Sequence, residues 1–268
     1  MGWPVAHSLS PRLHGFWLKK YGISGTYAAL PVKPEQLREE LKFLSDKGFC
    51  GVNLTVPHKE SALALVDEVE PLARSIGAIN TIVVREDGSL LGRNTDAYGF
   101  TQNLLAAGFK PSKQSATLLG AGGAARAGLA ALLAMGFSDI RIVNRTRDKA
   151  EKLAAEFAPD KIHVFDWDDP DALAASDLLV NATSLGLKGQ PPLEITLDAL
   201  PRAAWVTDMV YVPLQTDLLQ RAAQRGHRTV DGLGMLLHQA RPAFAAFFGK
   251  DPEVTEELRA YVLGAVPC

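Results

Sequence analysis

The sequence predicts an α/β chain of two domains, and two observations carry the prediction. From Ser115 onward, short apolar β-branched runs alternate with Ala- and Leu-rich helical stretches. That alternation implies parallel strands joined by helical crossovers, hence a doubly wound sheet. Ahead of it the pattern is irregular and includes a hairpin, which implies a mixed sheet in a separate N-terminal α/β domain. The expected division is residues 1–97 plus 234–268 for the first domain and 98–233 for the second.

Taken in order, "HSLSPRLHGFWLKKYG" reads as a capped helix, with Ser10 accepting first-turn amides and Pro11 at N1, where no amide partner is needed. "TYAALPV" and the helical "PEQLREELKFLSDKG" follow. "GVNLTVPHKE" then reads as a strand running into a proline. Residues two apart share a face, so Asn53 and Thr55 lean one way and Val52, Leu54 and Val56 the other. After a helical stretch to about Ser75, "TIVVREDGSLLGRN" reads as a hairpin with Asp87-Gly88 at its turn, where positive φ is required. The domain boundary near Asp96 to Leu105 is expected to be a helix. In the second domain "SATLLG", "DIRIVN", "KIHVF", "DLLVN" and "WVTDM" are the strands. "AARAGLAALLAMG", "RDKAEKLAAEF", a short helix near Ala172 and "LQTDLLQRAAQRG" are the helical stretches. Gly136 and Gly226 fall just past helices, at positions that favour a left-handed residue. A final helix, roughly Leu233 to Phe248, returns the chain to the first domain.

Composition narrows the function classes. With 28 basic and 30 acidic residues, the chain lacks the broad positive footprint of a nucleic-acid or anionic-membrane binder. Cys50 and Cys268 are its two cysteines, so neither a disulfide framework nor a cysteine metal site is expected, and a reducing cytoplasm fits. The longest apolar run, about Ala127 to Phe137, is far shorter than the roughly 20 residues a membrane span needs. No leader pattern opens the sequence, and the six histidines show no metal-ligand spacing. A soluble, cytoplasmic, metal-free protein is expected.

Two segments carry a cofactor signal. "LLGAGGAARA" places Gly120, Gly122 and Ala125 in G-x-G-x-x-A spacing, directly after a strand and opening a helix. The first glycine permits a tight turn, the second lets a pyrophosphate approach the backbone, and the small third residue allows close packing. The helix N-terminus adds unpaired amides and partial positive charge. A tight turn without a ligand would also use such glycines. At the end of the next strand, where a NAD-binding fold would place an acid, stand Asn144, Arg145, Thr146 and Arg147. Arginine there can hold a 2′-phosphate; an ordinary solvated charge cluster is the alternative. Basic residues are unusual at a positive helix N-terminus, which favours a bound anion and NADP over NAD.

Several polar clusters fall at element ends: "HSLSP", "NLTVPHK", "AINTI", "GRNTDAYG" and "HQA". Each alone has a bland explanation, Ser10 as cap, Asn80 as turn residue, Asp96 as helix-start acid, Gln239 as surface amide and Lys59 as a solvated lysine. In this order, together with "GWPVAHSLSPRLH", "LGAGGAARA", "NRT", "NATSLG", "DMVYVPLQT" and "DGLGMLLHQA", they resemble the shikimate dehydrogenase family over essentially the whole chain. The resemblance implies an N-terminal substrate domain with a mixed sheet and a Rossmann-type NADP-binding domain. It also implies reversible NADP-linked interconversion of shikimate and 3-dehydroshikimate, on the route to aromatic amino acids.

By motif, it makes Lys59 and Asp96 the catalytic pair. Ser8 and Ser10 would hold the substrate carboxylate, Thr55, Asn80 and Gln239 its hydroxyls, and Tyr211 would border it. NADP would be held by Gly120, Ala121, Gly122, Gly123, Ala124, Asn144, Arg145, Thr146, Lys149, Thr183 and Met209, with Gly232 near the nicotinamide. No metal is implied, and a homodimer is the candidate assembly. The chemistry agrees: oxidising a secondary alcohol needs hydride transfer to a nicotinamide and loss of the hydroxyl proton, which a lysine oriented by a carboxylate can relay. A quinate or aminoshikimate dehydrogenase and a non-catalytic NADP-binding sensor are the alternatives. Two departures stand out. The family normally has a strand before its G-x-P motif, where here only Met1 and Gly2 stand, so the natural chain is expected to start upstream. Gly15 replaces a common asparagine and is expected to loosen its helix.

Overall fold

The computed structural model describes residues 1–111 and 114–264, so Cys268 lies outside the described residues. The chain divides into two compact units, residues 1–99 with 236 onward, and residues 100–235.

In the first unit α1 (Ser10–Lys20) and α2 (Leu37–Lys42) precede β1 (Gly51–Asn53), β2 (Glu68–Val69), α3 (Pro71–Ile76), β3 (Thr81–Val84) and β4 (Leu90–Arg93). The sheet order is β1-β3-β4-β2. Its β1/β3 and β3/β4 pairs are antiparallel and β2/β4 is parallel, the mixed sheet the irregular pattern implies. Val52, Leu54, Ile79 and Ile82 pack with Leu37 and Leu41 in its core.

Three local expectations are corrected here. Ser10 is the first residue of α1 and Leu9 its cap, with no side-chain cap bond; the Ser8 Oγ instead accepts the Ser10 amide at 3.3 Å. β1 ends at Asn53, so Thr55 and Val56 lie beyond the pleat and Val56 is exposed at 68% rather than facing inward. Gly88 alone in its turn has positive φ, 82°. Asp87 contributes its carboxylate, which accepts the Ser89 amide and hydroxyl at 2.9 and 2.6 Å.

α4 (Asp96–Ala106) carries the chain into the second unit. There β5 (Ser115–Leu119), α5 (Gly123–Ala134), β6 (Asp139–Val143), α6 (Arg147–Glu156), β7 (Ile162–Phe165), β8 (Leu178–Asn181), β9 (Trp205–Asp208), α7 (Asp217–Gln224) and β10 (Arg228–Val230) follow. The helix near Ala172 is a single 3-10 turn, Pro170–Ala172. All pairs are parallel, in the order β10-β9-β8-β5-β6-β7. β5 and β8 are buried along their whole length, which is why they read as unbroken apolar runs. The chain winds outward one way from β5 through β6 and β7, and the other way from β8. The C-terminal ends of β5 and β8 therefore flank the switch point, where doubly wound sheets bind ligands. Gly136 and Gly226 close their helices at φ 90° and 86°. α8 (Leu233–Phe248) returns the chain to the first unit, where α9 (Glu256–Leu263) packs on α1.

Candidate active site and dinucleotide site

One register row of the first sheet assembles the polar site. Asn53 at the end of β1 pairs with Thr81 at the start of β3, and Thr81 with Arg93 at the end of β4. Asn80, Asn94, Thr95 and Asp96 follow or precede those ends directly, so three strand termini deliver their polar residues to one place. Asn94 Oδ1 accepts the Asp96 amide at 3.0 Å and the Ala97 amide at 3.4 Å, capping α4 and fixing Asp96 in its first turn.

Lys59 Nζ donates to Asp96 Oδ2 at 2.6 Å, with side chains only 16% and 6% exposed. The Lys59 backbone is held by the Ile79 amide, which donates to its carbonyl at 2.7 Å. Asn80, 2% exposed, has Thr95 Oγ1, Asp96 Oδ1 and Gln239 Oε1 within 2.9, 3.0 and 3.1 Å of its Nδ2. Two amide hydrogens are shared among three acceptors, and the Thr95 hydroxyl, 3.3 Å from Gln239 Oε1, adds a further donor to the cluster. The bland readings of Lys59, Asn80 and Gln239 fail because all three side chains are drawn inward and hydrogen-bonded; Asp96 does begin a helix, yet its carboxylate is committed to Lys59 and Asn80.

The network extends through residues without an assigned role in the sequence. Tyr27 donates to Asn53 Oδ1 at 2.8 Å, and Asn53 Nδ2 donates to the Asn80 carbonyl and Thr81 Oγ1 at 3.2 and 2.9 Å. The Ser10 side chain lies against the Tyr27 phenol, whose ionisation burial makes harder. Thr81 and Thr95 sit inside quoted motifs and could have been singled out as polar residues at strand ends; Tyr27 carries no local signal. Ser8 is half-buried, and Thr55 is exposed and makes no side-chain hydrogen bond among the described residues.

His14 sits beneath this network. It is 1% exposed, stacks on Tyr27 with centroids 4.0 Å apart, and has no partner for either ring nitrogen among the described residues. Burial pushes its pKa down to about 3.

The other predicted residues belong to the second unit. Gly120 has φ +113°, and a Cβ there would lie 3.2 Å from the Ala182 carbonyl and from Thr183 Cγ2, so the turn at the switch point requires glycine. Gly122, by contrast, is exposed, and a Cβ would meet nothing within 4 Å. The backbone beside the N-terminus of α5 is thus open to an approaching group. Gly232 packs against protein: a Cβ there would come within 2.6 Å of the Met209 carbonyl oxygen.

Of the basic cluster, Arg147 is committed to Glu151 at 2.8 Å and Asp166 at 2.7 Å. Arg145 and Lys149 are exposed and form no ion pair among the described residues. Asn144 Nδ2 donates to the Thr146 carbonyl at 2.8 Å, shaping the turn that presents Arg145. An open glycine turn, a helix N-terminus and two free cations fit a phosphorylated dinucleotide. Tyr211 is half-buried in this unit, and burial raises its pKa. Among the described residues no group of three or more His, Cys, Asp or Glu side chains could hold a metal ion, and no helix is long and apolar enough to cross a membrane.

Comparison with known proteins agrees on one family. Residues 1–82 match the family described as "Shikimate dehydrogenase substrate binding domain", and residues 104–187 that described as "Shikimate / quinate 5-dehydrogenase". A relative from Paramagnetospirillum magneticum, "Shikimate dehydrogenase (NADP(+))", is 54% identical over 98% of this chain and 96% of its own. A crystal structure of shikimate 5-dehydrogenase from Thermus thermophilus, in complex with NADP(H) and shikimate, is 39% identical with a TM-score of 0.89, covering 99% of this chain and 97% of that one. Quinate dehydrogenase from Corynebacterium glutamicum, in complex with NAD, is 30% identical with a TM-score of 0.90, covering 98% and 96%.

Proposed function

The chain belongs to the shikimate dehydrogenase family, and from that premise we propose that it catalyses the reversible NADP-dependent oxidation of shikimate to 3-dehydroshikimate. The observation that carries the reading is the Lys59–Asp96 pair at 2.6 Å, joined through Asn80 to Gln239.

In the direction of oxidation the Lys59 amine takes the proton of the reacting hydroxyl. In reduction its ammonium polarises the ketone and returns that proton. Asp96 aims the nitrogen and stabilises its positive form, while Asn80 Nδ2 keeps the carboxylate from rotating. Asn80, Gln239 and Thr55 hold the ring hydroxyls, and Ser8 and Ser10 hold the carboxylate. Tyr211 borders the substrate. NADP, when bound, supplies the hydride acceptor. Gly120 to Ala124 would cradle its pyrophosphate, and Asn144, Arg145, Thr146 and Lys149 its 2′-phosphate; Thr183 and Met209 would also contact the cofactor, with Gly232 near the nicotinamide. Residues 1–97 plus 234–268 serve as the substrate domain and 98–233 as the NADP domain. A cytoplasmic homodimer completes the proposal, and light scattering of the purified protein tests the assembly.

Quinate oxidation is the second reading, favoured by the equally close backbone match to a quinate dehydrogenase. Absorbance at the reduced-nicotinamide band, with shikimate or quinate and with NADP or NAD, separates the two. Rapid reduction with shikimate and NADP alone is expected. Preference for quinate or NAD moves the function to the sister activity, and no turnover from folded protein overturns the enzymatic reading.

A further inference from the structure

Asp208 is a carboxylate 1% exposed at the last position of β9, outside the roles above. It accepts three hydrogen bonds: Asn181 Nδ2 at 2.9 Å and the Val210 amide at 2.9 Å on Oδ1, and the Thr216 hydroxyl at 2.7 Å on Oδ2. Each bond leads to a different part of the sheet's C-terminal edge.

Through Asn181, its register partner on β8, the carboxylate reaches the loop beside the glycine turn. Asn181 Oδ1 accepts the Thr183 amide at 3.1 Å and the Thr183 hydroxyl at 2.7 Å, and Thr183 Oγ1 accepts the Leu185 amide at 3.0 Å. That arrangement sets Thr183 against Gly120, where even a Cβ would be crowded. Through the Val210 amide, Asp208 folds the chain leaving β9 back on itself. Met209 is then closed in by Gly232 on its carbonyl and by Gly128 near its Cε. Through Thr216, which also caps α7 by accepting the Leu219 amide, the carboxylate is tied to the next helix.

We infer that Asp208 is a positioning residue for the dinucleotide, setting Thr183 on one side and Met209 with Gly232 on the other at the switch point of the sheet. A buried carboxylate suits this task because one oxygen can accept two donors while the other holds a third. The inference rests on the NADP reading of this unit and extends it to a residue that need not touch the cofactor.

The test compares Asp208→Ala with Asp208→Asn by NADP titration and by steady-state kinetics. Alanine deletes all three acceptors, so the Kd for NADP is expected to rise about tenfold or more, with the KM for NADP rising in parallel and that for shikimate lagging behind. Asparagine can keep both bonds on Oδ1 and donate its amide to Thr216 Oγ1, so it is expected to restore most of the affinity. A role confined to stability would lower the melting temperature of Asp208→Ala yet leave the Kd of the folded protein within about twofold of the parent, and that result overturns the inference. Should Asp208→Ala fail to fold, Thr216→Val removes one donor and is expected to weaken NADP about threefold; unchanged affinity there is equally fatal. A parent protein that does not take up NADP overturns the cofactor reading and this one together, and is seen before any variant is compared.

Discussion

Replacing His14 with Phe tests the energetics of the buried network. In the folded chain His14 binds its proton only near pH 3, against 6.5 for the free imidazole. Between those values the unfolded chain carries a proton that the folded chain does not. Stability therefore falls as pH drops through 6.5 and keeps falling until about pH 3. Each unit costs about 1.4 kcal/mol, so His14 removes about 2 kcal/mol by about pH 5 and about 5 kcal/mol at the limit. Phe keeps the stack on Tyr27 but cannot titrate. At neutral pH two effects oppose: relief of unpaired nitrogens, worth about 1 to 3 kcal/mol, and the cost of a larger ring, of similar size. The discriminating quantity is thus the pH dependence. Urea unfolding followed by tryptophan fluorescence, to which Trp17 contributes 6.0 Å from His14 between ring centroids, gives it at about pH 7.5 and about pH 5. The Met1 amine and the His58 and His238 rings, whose pKa values burial also lowers, contribute to both proteins and cancel in the difference. His14→Phe is expected to lose about 2 kcal/mol less than the parent on acidification. An identical loss in both would refute the reasoning.

Lys59→Ala is expected to lower kcat about 100- to 10,000-fold with NADP affinity retained, measured by absorbance and by titration; a sensor would lose nothing. Arg145→Glu places a carboxylate against the 2′-phosphate and is expected to weaken NADP about tenfold or more while sparing NAD, shown by the ratio of their KM values. Gly15→Ala lies within α1, where a Cβ would meet nothing within 4 Å. It is expected to stabilise the first unit by about 0.5 to 1 kcal/mol in urea unfolding.

The sequence by itself determined what depends on near neighbours. Period and β-branching marked five of the six parallel strands, β5 to β9, and missed the three-residue edge strand β10; glycine spacing marked the turn after β5, and short polar motifs marked the ends of β1, β3 and β4. The tertiary structure decided which side chains meet. Asn80 finds Gln239 across 159 positions and Tyr27 finds Asn53 across 26, separations that local periodicity does not register. Arg147 turns to Asp166 and leaves Arg145 free because the chain beyond β7 brings an acid to one and not to the other. The cap of α1 falls on Leu9, and the Ser10 side chain lies against Tyr27 instead. The physical reason is common to all three: a motif fixes where a backbone turns, whereas a hydrogen bond or ion pair needs two groups within about 3 Å, and only the packed chain sets that distance.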